Sequence, residues 1–254
     1  VGLGRSAAIV VGSFPLAESD RVVTFFSRRY GKLRGVARAA RRVRSRFTGA
    51  FEMGTQGELV FFDTGRSDLV RVDHFDVTRP FARVRDDLDR LAQAAWMLEC
   101  VTRLTGERDP NPAVYGLLAR GLAAIEAGRP PGRVAVVFGL RLVDALGHRL
   151  RAEGCVGCGR RSAGAWAMDV EAGGLRCPAC PPGAGAAVRL APASLGALRR
   201  LRGQAWEEAT AEPLGRAERD LRALLDCQVA YLAGQPARAT RFAREIERFS
   251  GERR

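Results

Sequence analysis

The chain has 254 residues, 46% hydrophobic and 27% charged, a balance that suits one large globular domain or two to three small ones and excludes a disordered or fibrous chain. Its formal net charge of +13 is far from ordinary and points to an acidic partner. The longest apolar runs, AAIVVG and AVVFGL, fall far short of the ~20 residues of a spanning helix, so no membrane partner is expected. The N-terminal run is also too short for a signal-peptide core, and the expectation is a cytoplasmic protein with reduced thiols.

Residues 1–78 read as strands. AAIVVG, RVVTFF, KLRGVAR, GELVFFD and DLVRVDHFDV are short, rich in Val and Phe, and separated by turn residues. Tyr30-Gly31 and Thr64-Gly65 sit where hairpins would turn. Five short strands in so few residues predict a small closed β-barrel of the OB type.

The charge concentrates inside this region. Between Asp20 and Glu52 stand ten cations, from Arg21 to Arg46, and no carboxylate. In KLRGVAR as a strand, Lys32, Arg34, Val36 and Arg38 share one face, and Leu33, Gly35 and Ala37 the other. The small apolar face fits a narrow barrel interior. The cationic face, followed by Arg41, Arg42, Arg44 and Arg46 in an expected loop, makes a groove for a nucleic-acid backbone. Phe25, Phe26, Tyr30, Phe47 and Phe51 fit the core better than base stacking, so the groove reads as built for phosphates.

At Thr78-Arg79-Pro80 the period changes. From Val84 to Thr105 apolar residues recur at helical spacing, and Asp86, Asp87 and Asp89 open that helix, where negative charge favours the dipole. A second helix is expected from Ala113 to Ala127 with Gly128 as its cap, a third from Arg133 to Leu150, and two or three more after Pro192, ending with TRFAREIERF. The fold class is therefore α+β. An OB-fold domain spans 1–78, and an α-helical bundle domain spans 79–254, interrupted by a module at 153–183.

That module carries Cys155, Cys158, Cys177 and Cys180, two C-x-x-C pairs with eighteen residues between them. Each pair converges two thiolates, and two pairs complete a tetrahedral set for one structural zinc ion. Four cysteines leave no open position for a reacting water, so the ion organises the fold. Cys100 and Cys227 lie on apolar helical stripes and read as core thiols. His74 and His148 fall in no triad or metal-pair motif, and no phosphate loop or nucleophile elbow is present. The chain reads as a binding protein and not an enzyme. Composition leaves two readings open, a DNA-binding mediator and a ribosome-associated RNA-binding OB/zinc protein.

Three segments, AIVVGSFPLAESDRVVTFFSRRYGKLRGVARAARR, CVGCG…GGLRCPAC and AGQPARATRFAREI, stand in the order found in the bacterial RecO family of DNA repair proteins, which the chain resembles over most of its length. The resemblance implies an N-terminal OB fold, a helical domain and an inserted four-cysteine zinc module. It implies a cytoplasmic, nucleoid-associated recombination mediator that binds single- and double-stranded DNA and anneals complementary strands. Its implied partners are RecR, the C-terminal tail of single-stranded-DNA-binding protein (SSB) and, indirectly, RecA. It points to Lys32, Arg34 and Arg38 for DNA contact, then Arg41, Arg42 and Arg44, and to the four cysteines for zinc. Ala17 and Ala39 stand at turns where the family commonly carries glycine.

Overall fold

The structure is a computed structural model, and it describes residues 2–42, 45–65, 67–161, 163–184, 186–211, 213–235 and 239. Five strands, β1 (Gly2–Leu16), β2 (Asp20–Ser27), β3 (Gly31–Ala37), β4 (Gln56–Asp63) and β5 (Leu69–Arg79), close in the order β1-β2-β3-β5-β4. This is the expected barrel. β1 is long because it closes it: its first half pairs with β4 and its second half with β2, with a bulge between Val10 and Gly12. β3 and β5 pair in parallel over three residues.

The alternation read from the sequence holds. Leu33 and Ala37 on β3 pack inside with Val10, Val23, Phe25 and Leu59. The β3–β4 connection adds Phe47 and Phe51 to this interior, where Phe51 lies edge-on to Phe25 at 6.1 Å. Those two phenylalanines are core residues, as expected. Ala17 and Ala39 take φ of 52° and 56°, so the chain keeps left-handed turns at both positions without glycine.

The helical region comprises α1 (Leu88–Leu104), α2 (Pro112–Glu126), α3 (Pro131–Ala145), α4 (Pro192–Gly203), α5 (Trp206–Ala211) and α6 (Arg216–Leu232). Asp87 caps α1 by accepting from the Arg90 amide at 2.9 Å, so the acidic trio is a helix start. Gly128 ends α2 as expected, with the Arg129 amide bonded back to Ala124. The third helix stops before the expected Leu150. Gly147 takes φ of 81° and the His148 amide bonds back to Val143, which closes α3 by the same cap. The helix expected over TRFAREIERF lies outside the described residues.

Between α3 and α4 sits a three-stranded sheet, β6 (Trp166–Asp169), β7 (Gly174–Arg176) and β8 (Arg189–Leu190), in the order β7-β6-β8. Trp166, Met168, Leu175 and Leu190 are buried in the same core as Trp96, Phe138 and Leu225. That core also includes Ile9, Val11 and Phe26 on the outer face of the barrel. One apolar body therefore joins the barrel, the helices and the cysteine module.

Candidate nucleic-acid interface and metal centre

β3 presents Lys32, Arg34 and Val36 outward, and its cross-strand partners on β2 are Phe26, Thr24 and Val22. The helical region covers only one end of this face. Phe26 is fully buried there. Beside it, the Lys32 ammonium donates to the backbone carbonyls of Thr102 at 2.7 Å and Thr105 at 3.0 Å, and lies 3.4 Å from a Glu107 oxygen. Its side chain is 11% exposed. Lys32 therefore departs from the expected DNA row. Alternation set its side of the strand correctly, but that side is where the last turn of α1 docks. Those carbonyls are orphans of a helix C-terminus, where a cation is favoured.

The junction is tight in the backbone as well. The Arg108 amide donates to the Lys32 carbonyl at 2.9 Å, and the Arg108 guanidinium meets Asp63 at 2.5 Å. Gly31, at φ of 65°, has no room for a side chain: a Cβ there would lie 2.2 Å from the Asp109 carbonyl oxygen.

Arg34 is exposed and makes no ion pair among the described residues. Arg38, just past the strand, is exposed as well. The turn that follows is tied to the β1–β2 hairpin: the Arg41 amide donates to Ser19, and its guanidinium to the Ala17 carbonyl at 2.8 Å. Asp20 sits under this loop. The Ala39 amide and then the Ser19 hydroxyl hold its carboxyl below the usual range, with Arg38 and Arg42 adding to the effect. One acid thus fixes the loop's shape while the arginines outnumber it. Arg41 and Arg42 rim a cleft of about 350 Å³ whose floor includes Phe47 and Phe51. Arg44 lies outside the described residues.

The structure adds a residue that the run of arginines does not include. Arg71 on β5 is the direct partner of Val36, so it extends the same outer face. Its guanidinium lies 4.5 Å from the ring centre of Phe62 on β4. The signal was present in DLVRVDHF, where Val70 and Val72 go inward and leave Arg71 outward.

The four sulfurs of Cys155, Cys158, Cys177 and Cys180 all lie within 4.8 Å of one another, the one such cluster of potential metal ligands among the described residues. Cys155 and Cys180 are 3.7 Å apart, and Cys158 and Cys177 3.8 Å. Bonds of about 2.3 Å from a tetrahedral zinc ion would place its thiolates about 3.8 Å apart, so the set fits such an ion. Burial works against a charge on Cys155, but the amides of Cys177, Cys158 and Gly157 outweigh it and hold that thiol at about 6. Cys180 is pushed up to about 12 by its hydrogen bonds with Cys158 and Cys155. Cys100 is fully buried, and burial pushes its thiol far up, while Cys227 is half-buried.

Against known proteins, the sequence matches the family described as Recombination protein O N terminal over residues 3–81, and Recombination protein O C terminal over residues 85–238. The chain belongs to the RecO family. It is 34% identical over 244 residues to a protein named DNA repair protein RecO from Anaeromyxobacter sp. (strain K), covering 95% of this chain and 96% of that one. The RecO of Frankia casuarinae is 36% identical over 200 residues, 78% of this chain and 79% of the relative. That of Myxococcus xanthus is 30% identical over 239 residues, 94% and 96% of the two chains. The longest of these matches span the barrel, the helices and the four cysteines together.

Within this RecO fold, Lys32 and Arg34 should behave differently although they are two residues apart. Lys32→Ala strips two part-buried carbonyls of a charged donor and should lower stability by about 2 kcal/mol. Arg34→Ala should stay within about 0.5 kcal/mol. Urea unfolding checks this, and equal small effects would return Lys32 to the open face.

Proposed function

We propose that this protein is a DNA repair and homologous-recombination mediator that works by binding and not by covalent chemistry. In this reading the barrel holds single- and double-stranded DNA by its phosphates and brings complementary strands together. With RecR, the protein helps RecA load on DNA coated by SSB. The observation that carries the reading is a pair of exposed arginines, Arg34 on the outer barrel face and Arg38 just past its strand, with no carboxylate paired to Arg34 among the described residues. Membership of the RecO family supports it, because its relatives are named for DNA repair.

The test reverses the charge. The double variant Arg34→Glu, Arg38→Glu should stay folded and lose affinity for oligonucleotides of every sequence alike, since phosphates carry no base information. The slope of log affinity against log salt should flatten by about 0.7 for each phosphate that the variant no longer holds on a single strand. A folded variant with unchanged affinity and slope would sink the reading.

The four thiolates are taken as the seat of one structural zinc ion. Zinc supplies folding free energy when bound, and the chain's part is to bring two C-x-x-C turns together. Trp166 and Leu175 root the module in the common core, and Arg199 clasps it by donating to the Ala152 carbonyl at 2.6 and 2.9 Å. Protein purified without chelator should carry one zinc per chain by elemental analysis. Cys155→Ser should abolish that zinc and lower the melting temperature, while leaving DNA affinity within about twofold, because the ligands lie outside the barrel. Absence of zinc, or loss of DNA binding without loss of zinc, would contradict this assignment.

The SSB tail, acidic and apolar at its end, suits a cleft of about 660 Å³ between α2, α3 and α5. Leu117, Ala123 and Trp206 contribute to its lining, and the guanidiniums of Arg120 and Arg141 lie 5.6 and 5.8 Å from the Trp206 ring. Basic residues around an apolar floor attract carboxylates and seat a hydrophobic end. A labelled tail peptide should bind in fluorescence anisotropy at low salt, and Arg141→Glu should weaken it at least tenfold. Equal binding by the variant would place the tail elsewhere.

A further inference from the structure

The cross-strand register draws one row around the outside of the barrel, with one residue on each of its five strands. Phe14 on β1 is the direct partner of Val22 on β2, Val22 of Val36 on β3, Val36 of Arg71 on β5, and Arg71 of Phe62 on β4. All five lie on the outer side, because the neighbours that alternate with them, such as Val23, Val70, Val72 and Phe61, fill the interior, and four of them reach solvent while Val22 is covered at 3% exposed. None of the five belongs to the core beneath the helices. The two ends of the row are aromatic. Phe14 is 50% exposed, which is unusual for a phenylalanine on a barrel strand. Phe62 is part-exposed, and the Arg71 guanidinium lies over its ring.

The row is also bracketed by charge. Arg34 stands two residues before Val36 on β3 and Arg38 two residues after it, each about 7 Å away along the chain. Across the strands, Phe14 and Phe62 each lie two steps from Val36, about 10 Å along the barrel surface on either side. A polyanion that crosses β3 between the two arginines and follows the curve of the barrel would therefore meet a strip with Val36 at its centre and an aromatic on either flank. Unpaired nucleobases offer flat faces to such a strip, and a guanidinium resting on a ring offers a second flat, cationic one. Double-stranded DNA has no such faces free.

We infer that Phe14 and the Phe62–Arg71 pair are base-stacking stations for single-stranded DNA, and that they make the barrel prefer single strands over duplex. This rests on the proposed DNA-binding role of Arg34 and Arg38. It also revises the reading of the groove as a phosphate clamp alone. The five aromatics singled out by sequence are not the stations: four are buried, and Tyr30 packs edge-on against Phe61 at 5.2 Å. The occupant follows from the charge: a protein partner would need carboxylates to meet Arg34, Arg38 and Arg71 together, whereas a single strand brings one phosphate per base.

The test uses the full chain with four probes: an oligo-dT, an abasic strand of the same length, a duplex, and purified RecR. Phe14→Ala and Phe62→Ala should each weaken oligo-dT binding about five- to a hundred-fold, the range of a single stacking interaction. Their salt slopes should not change, since every phosphate stays held. Binding of the abasic strand and of duplex should change by less than about twofold. Phe14→Leu and Phe62→Leu keep an apolar side chain and should lose affinity for oligo-dT in the same way, which separates stacking from misfolding. If the phenylalanine variants bind oligo-dT like the unchanged protein while Arg34→Glu, Arg38→Glu does not, the stacking inference fails and the phosphate reading stands. If the arginine variant also binds normally, the DNA surface itself is misplaced. Loss of RecR binding with oligo-dT binding intact would assign the strip to a protein and overturn the inference.

Discussion

One ammonium group divides the outside of the barrel. Lys32 reaches from β3 to the last carbonyls of α1, and with Phe26 it anchors the helical region on that end of the strand. A barrel this small has no spare surface, so whatever the helices cover is lost to a ligand. The docking stops short of Arg34. From there onward the same face carries Arg34, Val36 and Arg71 toward solvent. The extent of the open face is thus a consequence of where the helix C-terminus finds its cation, and Gly31 makes the approach possible by leaving room for the Asp109 backbone.

The cysteine module is rooted in the same core. Its sheet cannot bury enough apolar surface alone, with strands of four, three and two residues. Trp166 and Leu175 instead lean on the helices, while four cysteine sulfurs converge at the other end in a set that could hold a metal ion. Packing and ligation are therefore complementary in the proposed reading, where a metal outside the barrel would contribute to stability and not to contact with DNA. The cleft beside Trp206 belongs to the same helical body, so the two proposed binding surfaces stand on different parts of one common core.

Much of this was legible from residue patterns. The strands announced themselves by alternation, because a barrel strand must put small apolar residues inside, and Leu33, Gly35 and Ala37 do so. The two-eighteen-two cysteine spacing was legible because ligand convergence depends on local turns. Helix ends were legible where a cap stands out, as at Gly128, and hidden where it does not, as at Gly147. What alternation cannot tell is what covers a face, and so it groups Lys32 with Arg34. Arg71 and Phe14 escape for a related reason. They join Val36 only through strand pairing between distant segments, whereas a dense run of arginines draws attention to itself. The Trp206 cleft draws on three helices separated in the chain, and no local pattern marks it.

Lys32 is the single lysine in the sequence, which makes the division of the barrel face directly measurable. Acetylation with a soluble amine reagent, followed by mass spectrometry of the peptide that contains Lys32, reports its accessibility with and without saturating single-stranded DNA. An ammonium held between the Thr102 and Thr105 carbonyls should label slowly, at a rate that DNA does not alter. Rapid labelling of the free protein that DNA suppresses would place Lys32 in the groove and contradict the account.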